Sequence, residues 1–177
     1  MIVRETELGG AFVIEPRRFE DERGFFAPAW SEREMEARGA ESRFVEMNVS
    51  FNHRRGTLRG MHYQAAPHGQ AKLVRCTRGR VYDVGIDLRP DSPTFRRWVG
   101  VELSAENRLM LYVPAEFAHG YLTLEDDTEV MYLVTKPFAP DSGRGVRWDD
   151  PAFQVEWPDV GEKTIIARDS EYPDFRA

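Results

Sequence analysis

The residue types that could move a proton are few in this chain. Of the four histidines, His53, His62, His68 and His119, two sit among apolar neighbours in short β-like runs. These are His62, in Leu58-Arg59-Gly60-Met61-His62-Tyr63-Gln64, and His119, in Phe117-Ala118-His119-Gly120-Tyr121. Imidazole has an unperturbed pKa of ~6.5 and so takes up and returns protons near neutrality. A histidine in such a place is more often a hydrogen-bonded core residue, so the chemical reading needs companions. Tyr132, in Glu129-Val130-Met131-Tyr132-Leu133-Val134-Thr135, alternates onto one inward face with Val130 and Val134. A phenol there is either a core tyrosine with its hydroxyl on a backbone group or a general acid, and spacing leaves both open. Lys72, in Gln70-Ala71-Lys72-Leu73-Val74-Arg75, reads as a strand lysine that snorkels to solvent, and Asp169, near the C-terminus, as a solvated charge.

Metal chemistry lacks its ligands. Small β-barrels often hold a metal through a His-x-His pair with a later Glu and His. Here the residues two away from His62 are Gly60 and Gln64, so the pair is missing. A catalytic zinc takes three protein ligands, and none completes the set, so no metal and no cofactor is expected. Cys76 reads as a small buried hydrophobe.

The elements that must position these groups are mostly short strands. Val81-Tyr82-Asp83-Val84-Gly85-Ile86-Asp87-Leu88 alternates, with Tyr82, Val84, Ile86 and Leu88 on one face. Segments 109–113, 118–124 and 129–135 are further strands, separated by Pro90-Asp91-Ser92-Pro93, Ser104-Ala105-Glu106-Asn107, Pro114 and Glu125-Asp126-Asp127. One helix is predicted over 32–38: Ser31 followed by Glu34 is a capping-box pattern, and Gly39 ends the run. Strands at this spacing with one early helix predict an all-β sandwich or barrel forming a single domain over 1–177. The C-terminal third reads as irregular structure packed over the barrel and anchored by Trp148 and Trp157.

Composition bounds the partners. A net charge of −6 argues against a general nucleic-acid binder, and no stretch reaches the roughly 20 apolar residues of a membrane span. One cysteine cannot form an internal disulfide, and the first residues carry no leader pattern, so a cytoplasmic protein is expected. Arg54, Arg55, Arg59, Lys72, Arg75 and Arg78 gather mid-chain; alone they read as solvated surface, although a few placed arginines can hold an anionic small molecule.

Taken in order, these segments resemble the dTDP-4-dehydrorhamnose 3,5-epimerase family of the cupin superfamily. The matching stretches are Asp21-Glu22-Arg23-Gly24-Phe25-Phe26, Asn48-Val49-Ser50, the run around His62, the run around Lys72, and Asp87-Leu88-Arg89 with Ser92-Pro93-Thr94-Phe95. Phe117-Ala118-His119-Gly120, Trp148-Asp149-Asp150-Pro151 and Arg168-Asp169 complete the series, so the likeness runs over 12–169. The resemblance implies a cupin-type jelly-roll barrel, a homodimer, no metal, and a dTDP-linked 4-keto-6-deoxy sugar as substrate. By position it makes His62 the general base, Tyr132 the general acid, Asp169 the partner of His62, and Lys72 the residue facing the C4 oxygen. Arg23 and Arg59 would hold the pyrophosphate, His119 and Asn48 would line the sugar site, and Phe26, Gln64 and Phe138 complete the expected substrate contacts.

That chemistry needs those residue types. A ketone at C4 acidifies the C–H bonds at C3 and C5, and inversion requires a base on one face of the ring and an acid on the other. A lysine offsets charge growing on the enolate oxygen. A carboxylate behind the imidazole fixes its tautomer, as in a hydrolytic triad. In a regular strand, however, Arg59 and His62 point to opposite faces; either Gly60 marks a bulge or Arg59 serves substrate at the barrel mouth or in a partner subunit.

The chain departs from the family pattern at Ala27-Pro28, where an aromatic and a glutamate are usual, and at Ala115-Glu116, where a glycine is usual. Pro137-Phe138 replaces paired tyrosines, and Val134 stands where a lysine is common. Two other functions compete on the same residues: inversion at C3 or C5 alone on a related sugar nucleotide, and non-catalytic sugar-nucleotide binding.

Overall fold

The computed structural model describes residues 1–176. Thirteen strands follow one another along the chain. They are β1 (Ile2–Glu5), β2 (Phe12–Glu15), β3 (Phe19–Asp21), β4 (Gly24–Phe26), β5 (Glu46–Asn52), β6 (Leu58–Gln64) and β7 (Lys72–Arg78), then β8 (Arg80–Asp87), β9 (Trp98–Ser104), β10 (Met110–Val113), β11 (Phe117–Thr123), β12 (Thr128–Val134) and β13 (Gly143–Gly145). Two antiparallel sheets face each other, one in the order β1-β2-β10-β7-β12-β5 and one in the order β13-β6-β11-β8-β9. β3 and β4 form a separate hairpin. This is the jelly-roll architecture expected.

Three apolar layers hold it together. Between the sheets, Val74, Cys76 and Val130 meet Val81, Phe117 and Tyr121. Outside the six-stranded sheet, Met35 of helix α1 (Glu32–Glu36) packs with Phe12, Ile14, Leu73 and Tyr112. The helix starts as its capping box requires: the Ser31 hydroxyl accepts from the Glu34 amide. It ends two residues earlier than predicted, and Gly39 adopts φ +74° in the turn that follows.

Outside the five-stranded sheet lies the C-terminal segment. Val84, Ile86, Met61 and Ala118 pack there against Phe153, Trp157 and Val146, while Trp148 joins Leu58 and Leu122. The indole N–H of Trp157 donates to the Trp148 carbonyl, as anchors of an irregular strap would. The alternating face Tyr82, Val84, Ile86 is therefore the outer face, and Val81, Asp83 and Gly85 look into the barrel. At the end of the strap a four-residue helix, α2 (Ala167–Ser170), carries Arg168 and Asp169 back over β6. No helix among the described residues is long and apolar enough to cross a membrane.

Candidate functional site

The site is built around a break in β6. Its register against β11 pairs His62 with His119 and Arg59 with Tyr121, so residues 59–62 span only 119–121 on the neighbour. This is a bulge, and glycines make it possible. A Cβ on Gly60 would lie 2.6 Å from the Gly120 Cα, and one on Gly120 would lie 2.6 Å from the Met61 Sδ. Gly60 also has φ +124°, which side-chain-bearing residues avoid. The bulge resolves the alternation conflict: Arg59 and His62 both end on the inward side of β6, opposite Tyr121 and His119.

His62 is held from behind by α2. Its Nε2 lies 2.8 Å from Asp169 Oδ1, and Asp169 is only 1% exposed. The other carboxylate oxygen accepts the Gly60 amide at 3.1 Å, tying the dyad to the bulge. Arg168 Nε also donates to Asp169 Oδ1, at 3.2 Å, and its Nη2 is 3.3 Å from His62 Nε2. An ionised carboxylate only accepts, so Nε2 carries the imidazole proton and Nδ1 keeps the lone pair. Burial lowers the His62 pKa, Asp169 pulls it back up, and the charges of Lys72 and Arg168 lower it further. The balance favours the neutral imidazole, with Nδ1 as its free basic nitrogen.

Lys72 does not snorkel. At 8% exposure it points inward from β7, and its ammonium donates to the His62 carbonyl at 3.1 Å. Burial pushes its pKa down to about 8, while the charge of Asp83 acts in the opposite direction. Tyr132, on β12, lies across from Asn48 on β5 and Val74 on β7 and packs against the interior cluster. Burial raises its pKa, and the nearby Arg59 charge lowers it. His62 and His119 therefore stand on one sheet, and Tyr132, Lys72 and Asn48 on the facing one.

Several residues that sequence reasoning passed over complete the site. Asp83, fully buried on β8, accepts from His119 Nε2 at 2.9 Å, and its Oδ2 has no partner among the described residues. The signal available in the sequence was a carboxylate that interrupts an otherwise apolar strand, Val81-Tyr82-Asp83-Val84. Asn52 accepts from Arg59 Nε at 2.8 Å, and the Tyr121 hydroxyl donates to Ser50 at 2.9 Å, spanning the two sheets. Tyr172 sets its ring against His62, with centroids 6.5 Å apart.

Not every expected contact gathers here. Gln64 spends its amide on backbone groups rather than facing the cavity. Phe138 is 68% exposed beside it. Arg23 sits at the tip of the β3–β4 hairpin, paired with Asp21, with its side chain 84% exposed. Phe26 on the same hairpin is 70% exposed. The hairpin's Phe25 lies beneath Arg108, just before β10, whereas Lys72 pairs with Val113 at the other end of β10. Within one chain the hairpin and the His62 group stand apart. Among the described residues no group of three or more His, Cys, Asp or Glu is placed to hold a metal.

Such an arrangement can lift a proton on one side of a bound ring and deliver one on the other. Known proteins resemble this chain in sequence and fold over nearly its whole length. The family model described as dTDP-4-dehydrorhamnose 3,5-epimerase matches residues 5–177. A protein of that name from Sinorhizobium fredii is 44% identical over 173 residues, covering 98% of this chain and 89% of its own. Among solved structures, the dTDP-4-dehydrorhamnose 3,5-epimerase of Bacillus anthracis, with TDP and PPi bound, superposes with a TM-score of 0.91 at 41% identity, covering 98% of this chain and 99% of that one. The Legionella pneumophila dTDP-6-deoxy-D-glucose-3,5-epimerase in complex with dTDP-4-keto-L-rhamnose gives 0.88 at 34% identity, with 99% of each chain covered.

Proposed function

Because the chain belongs to the dTDP-4-dehydrorhamnose 3,5-epimerase family, we propose that it inverts C3 and C5 of dTDP-4-keto-6-deoxyglucose, giving dTDP-4-keto-rhamnose. The observation that carries the reading is the facing pair: His62 on one sheet, backed by the buried Asp169 of α2, and Tyr132 on the other, with the Lys72 ammonium bonded to the His62 carbonyl.

His62 Nδ1 takes the C–H proton, and the bond's electron pair moves to the C4 oxygen as an enolate. Asp169 stabilises the imidazolium that forms. Lys72, charged and desolvated, offsets the oxyanion where the low local dielectric makes a charge most effective. The enolate then takes a proton at carbon from the Tyr132 hydroxyl on the opposite face, and the C4 carbonyl re-forms. Solvent exchange returns His62 to neutral and Tyr132 to its phenol, and the same pair serves the second carbon. Arg59, already set by Asn52, and Arg23 suit the pyrophosphate through their planar forks. His119 and Asn48 line the sugar.

A homodimer is part of the same reading. β5 is the edge of its sheet and exposes Met47, Val49 and Phe51 on one face, an apolar stripe that a second copy would cover. Its hairpin would bring Arg23 and Phe26 to the partner's site. The unpaired, buried Cys76 fits a cytoplasmic setting.

Proton NMR of dTDP-4-keto-6-deoxyglucose with the protein in heavy water tests the activity. Loss of the C3 and C5 signals together is the expected result. Loss at C3 alone would make the chain a mono-epimerase, and no exchange would overturn the reading in favour of a binding role.

A further inference from the structure

A histidine backed by a buried carboxylate meets a conflict as a base, because the carboxylate that orients the ring also favours its protonated form. Here the carboxylate is shared. Asp169 Oδ1 accepts from His62 Nε2 at 2.8 Å and from Arg168 Nε at 3.2 Å, while Oδ2 takes the Gly60 amide. Arg168 Nη2 also stands 3.3 Å from His62 Nε2. Both nitrogens carry hydrogen, so that approach is a repulsion, and it grows when the imidazole gains a proton. The Arg168 guanidinium makes no hydrogen bond outside this dyad among the described residues, and its side chain is 65% exposed.

Few other groups face the imidazole. Lys72 reaches over from β7 and donates to the His62 carbonyl. His119, opposite on β11, has its Nε2 engaged by Asp83 of β8. On β6 itself, Arg59 turns to Asn52. β13 places Gly145 beside His62, and the adjoining Arg144 donates to backbone carbonyls. The C-terminal strap adds the ring of Tyr172, and β12 the phenol of Tyr132 from the facing sheet. Among these cations, Arg168 alone bonds to the oxygen that His62 uses.

We propose that Arg168 is a positioning residue that competes with His62 for one oxygen of Asp169, so that the carboxylate orients the imidazole without locking a proton onto it. The inference rests on the proton-transfer reading above and deepens it. The competition serves each turnover twice. His62 must be neutral when the substrate arrives, and it must shed the proton it has taken before it can serve the second carbon. A cation held at the same carboxylate favours both, in the direction its charge already pushes the His62 pKa.

The test reads His62 directly, by proton NMR titration of its ring in the full-length protein, with His62→Asn used to assign the signal. Arg168→Met removes the charge and keeps an apolar stem, and its His62 midpoint is expected at higher pH than in the parent. The acid limb of kcat/KM should move the same way, so that the loss of rate is largest at the acid end and shrinks as pH rises. Arg168→Lys keeps the charge and should bring the limb back toward its parental position. In an Asp169→Asn background no carboxylate is left to contest, and Arg168→Met should displace the midpoint less. An unmoved midpoint in Arg168→Met, or a rate loss equal at every pH, would overturn the proposal and leave Arg168 a structural tie of α2. A displacement just as large beside Asp169→Asn would overturn it too, because the charge would then act without the shared oxygen. The expected titration in a protein that exchanges no proton at C3 or C5 would instead overturn the epimerase reading and leave the competition at Asp169 standing.

Discussion

The interior of the barrel and its rim solve opposite problems. Inside, Asp169, Lys72, His119 and Asp83 are buried charges or potential charges, each held by at least one hydrogen bond to protein. At the rim, Arg23, Phe26 and Phe138 are presented to solvent. Proton transfer at carbon needs desolvated groups in fixed geometry, and the barrel provides both. Recognition of a soluble, doubly charged nucleotide needs groups that stay open until the ligand or a second copy arrives. The contrast teaches that the reaction centre is preorganised by one chain, while recognition is left to be completed.

The interior should break hardest. His62→Asn removes the proposed base and should suppress proton exchange at C3 and C5, lowering turnover by about 10²–10⁴-fold, while thermal stability stays near that of the parent. Tyr132→Phe should separate the two half-reactions: exchange at carbon continues in heavy water, but inversion falls by a similar factor. The comparison rests on base and acid standing on different sheets. Inversion at the normal rate in Tyr132→Phe would remove Tyr132 as the acid.

A smaller effect tests whether the buried lysine acts as a charge. Lys72→Ala should slow enolate formation by about 10²-fold, the loss of one oxyanion partner. Its titration gives a sharper measurement. In the proposed mechanism activity requires neutral His62 and charged Lys72. Burial holds the His62 pKa below its usual value, so the acid limb of kcat/KM should fall below ~6.5. Lys72 loses its proton near about 8, so activity should decline as pH rises through that point. Lys72→Arg, whose guanidinium stays charged, should lose rate from its shape but also lose that alkaline limb. A limb that persists near the same pH in Lys72→Arg would assign it to another group.

How much of this was legible follows the same division. Local patterns transmitted well: the Ser31 capping box, the alternation of residues 81–88, and Trp148 and Trp157 as anchors all act over a few residues. The reading of Lys72 as solvent-bound failed, because burial of a strand lysine is decided by the facing sheet and not by its neighbours in sequence. Asp169 read as an ordinary surface charge because its partner lies 107 residues away. The Arg59–His62 conflict pointed at Gly60, but only the closeness of Gly120 on β11 makes the bulge necessary. Asp83 went unnoticed although its carboxylate breaks an apolar run, since nothing local says that both faces of β8 are covered. Family resemblance supplied the roles that spacing could not.

The rim should give the smallest effect and the most informative one. Arg23 makes its hydrogen bonds only to Asp21 beside it, so its replacement by alanine should leave folding intact. Loss of one charge-assisted contact to a phosphate is worth about 1.5–3 kcal/mol, which should appear as a rise in KM with kcat retained. Whether that contact is made to the chain's own site or to its partner's is settled by mixing. In a dimer of one Arg23→Ala chain and one His62→Asn chain, the first keeps its base and borrows the second's arginine. Random mixing should then restore about a quarter of wild-type activity at low substrate, since half the dimers are mixed and each has one complete site. If Arg23 serves its own chain, no site in the mixture is complete, and activity stays at the average of the two variants. Recovery would show that the rim is shared between chains while the interior is not.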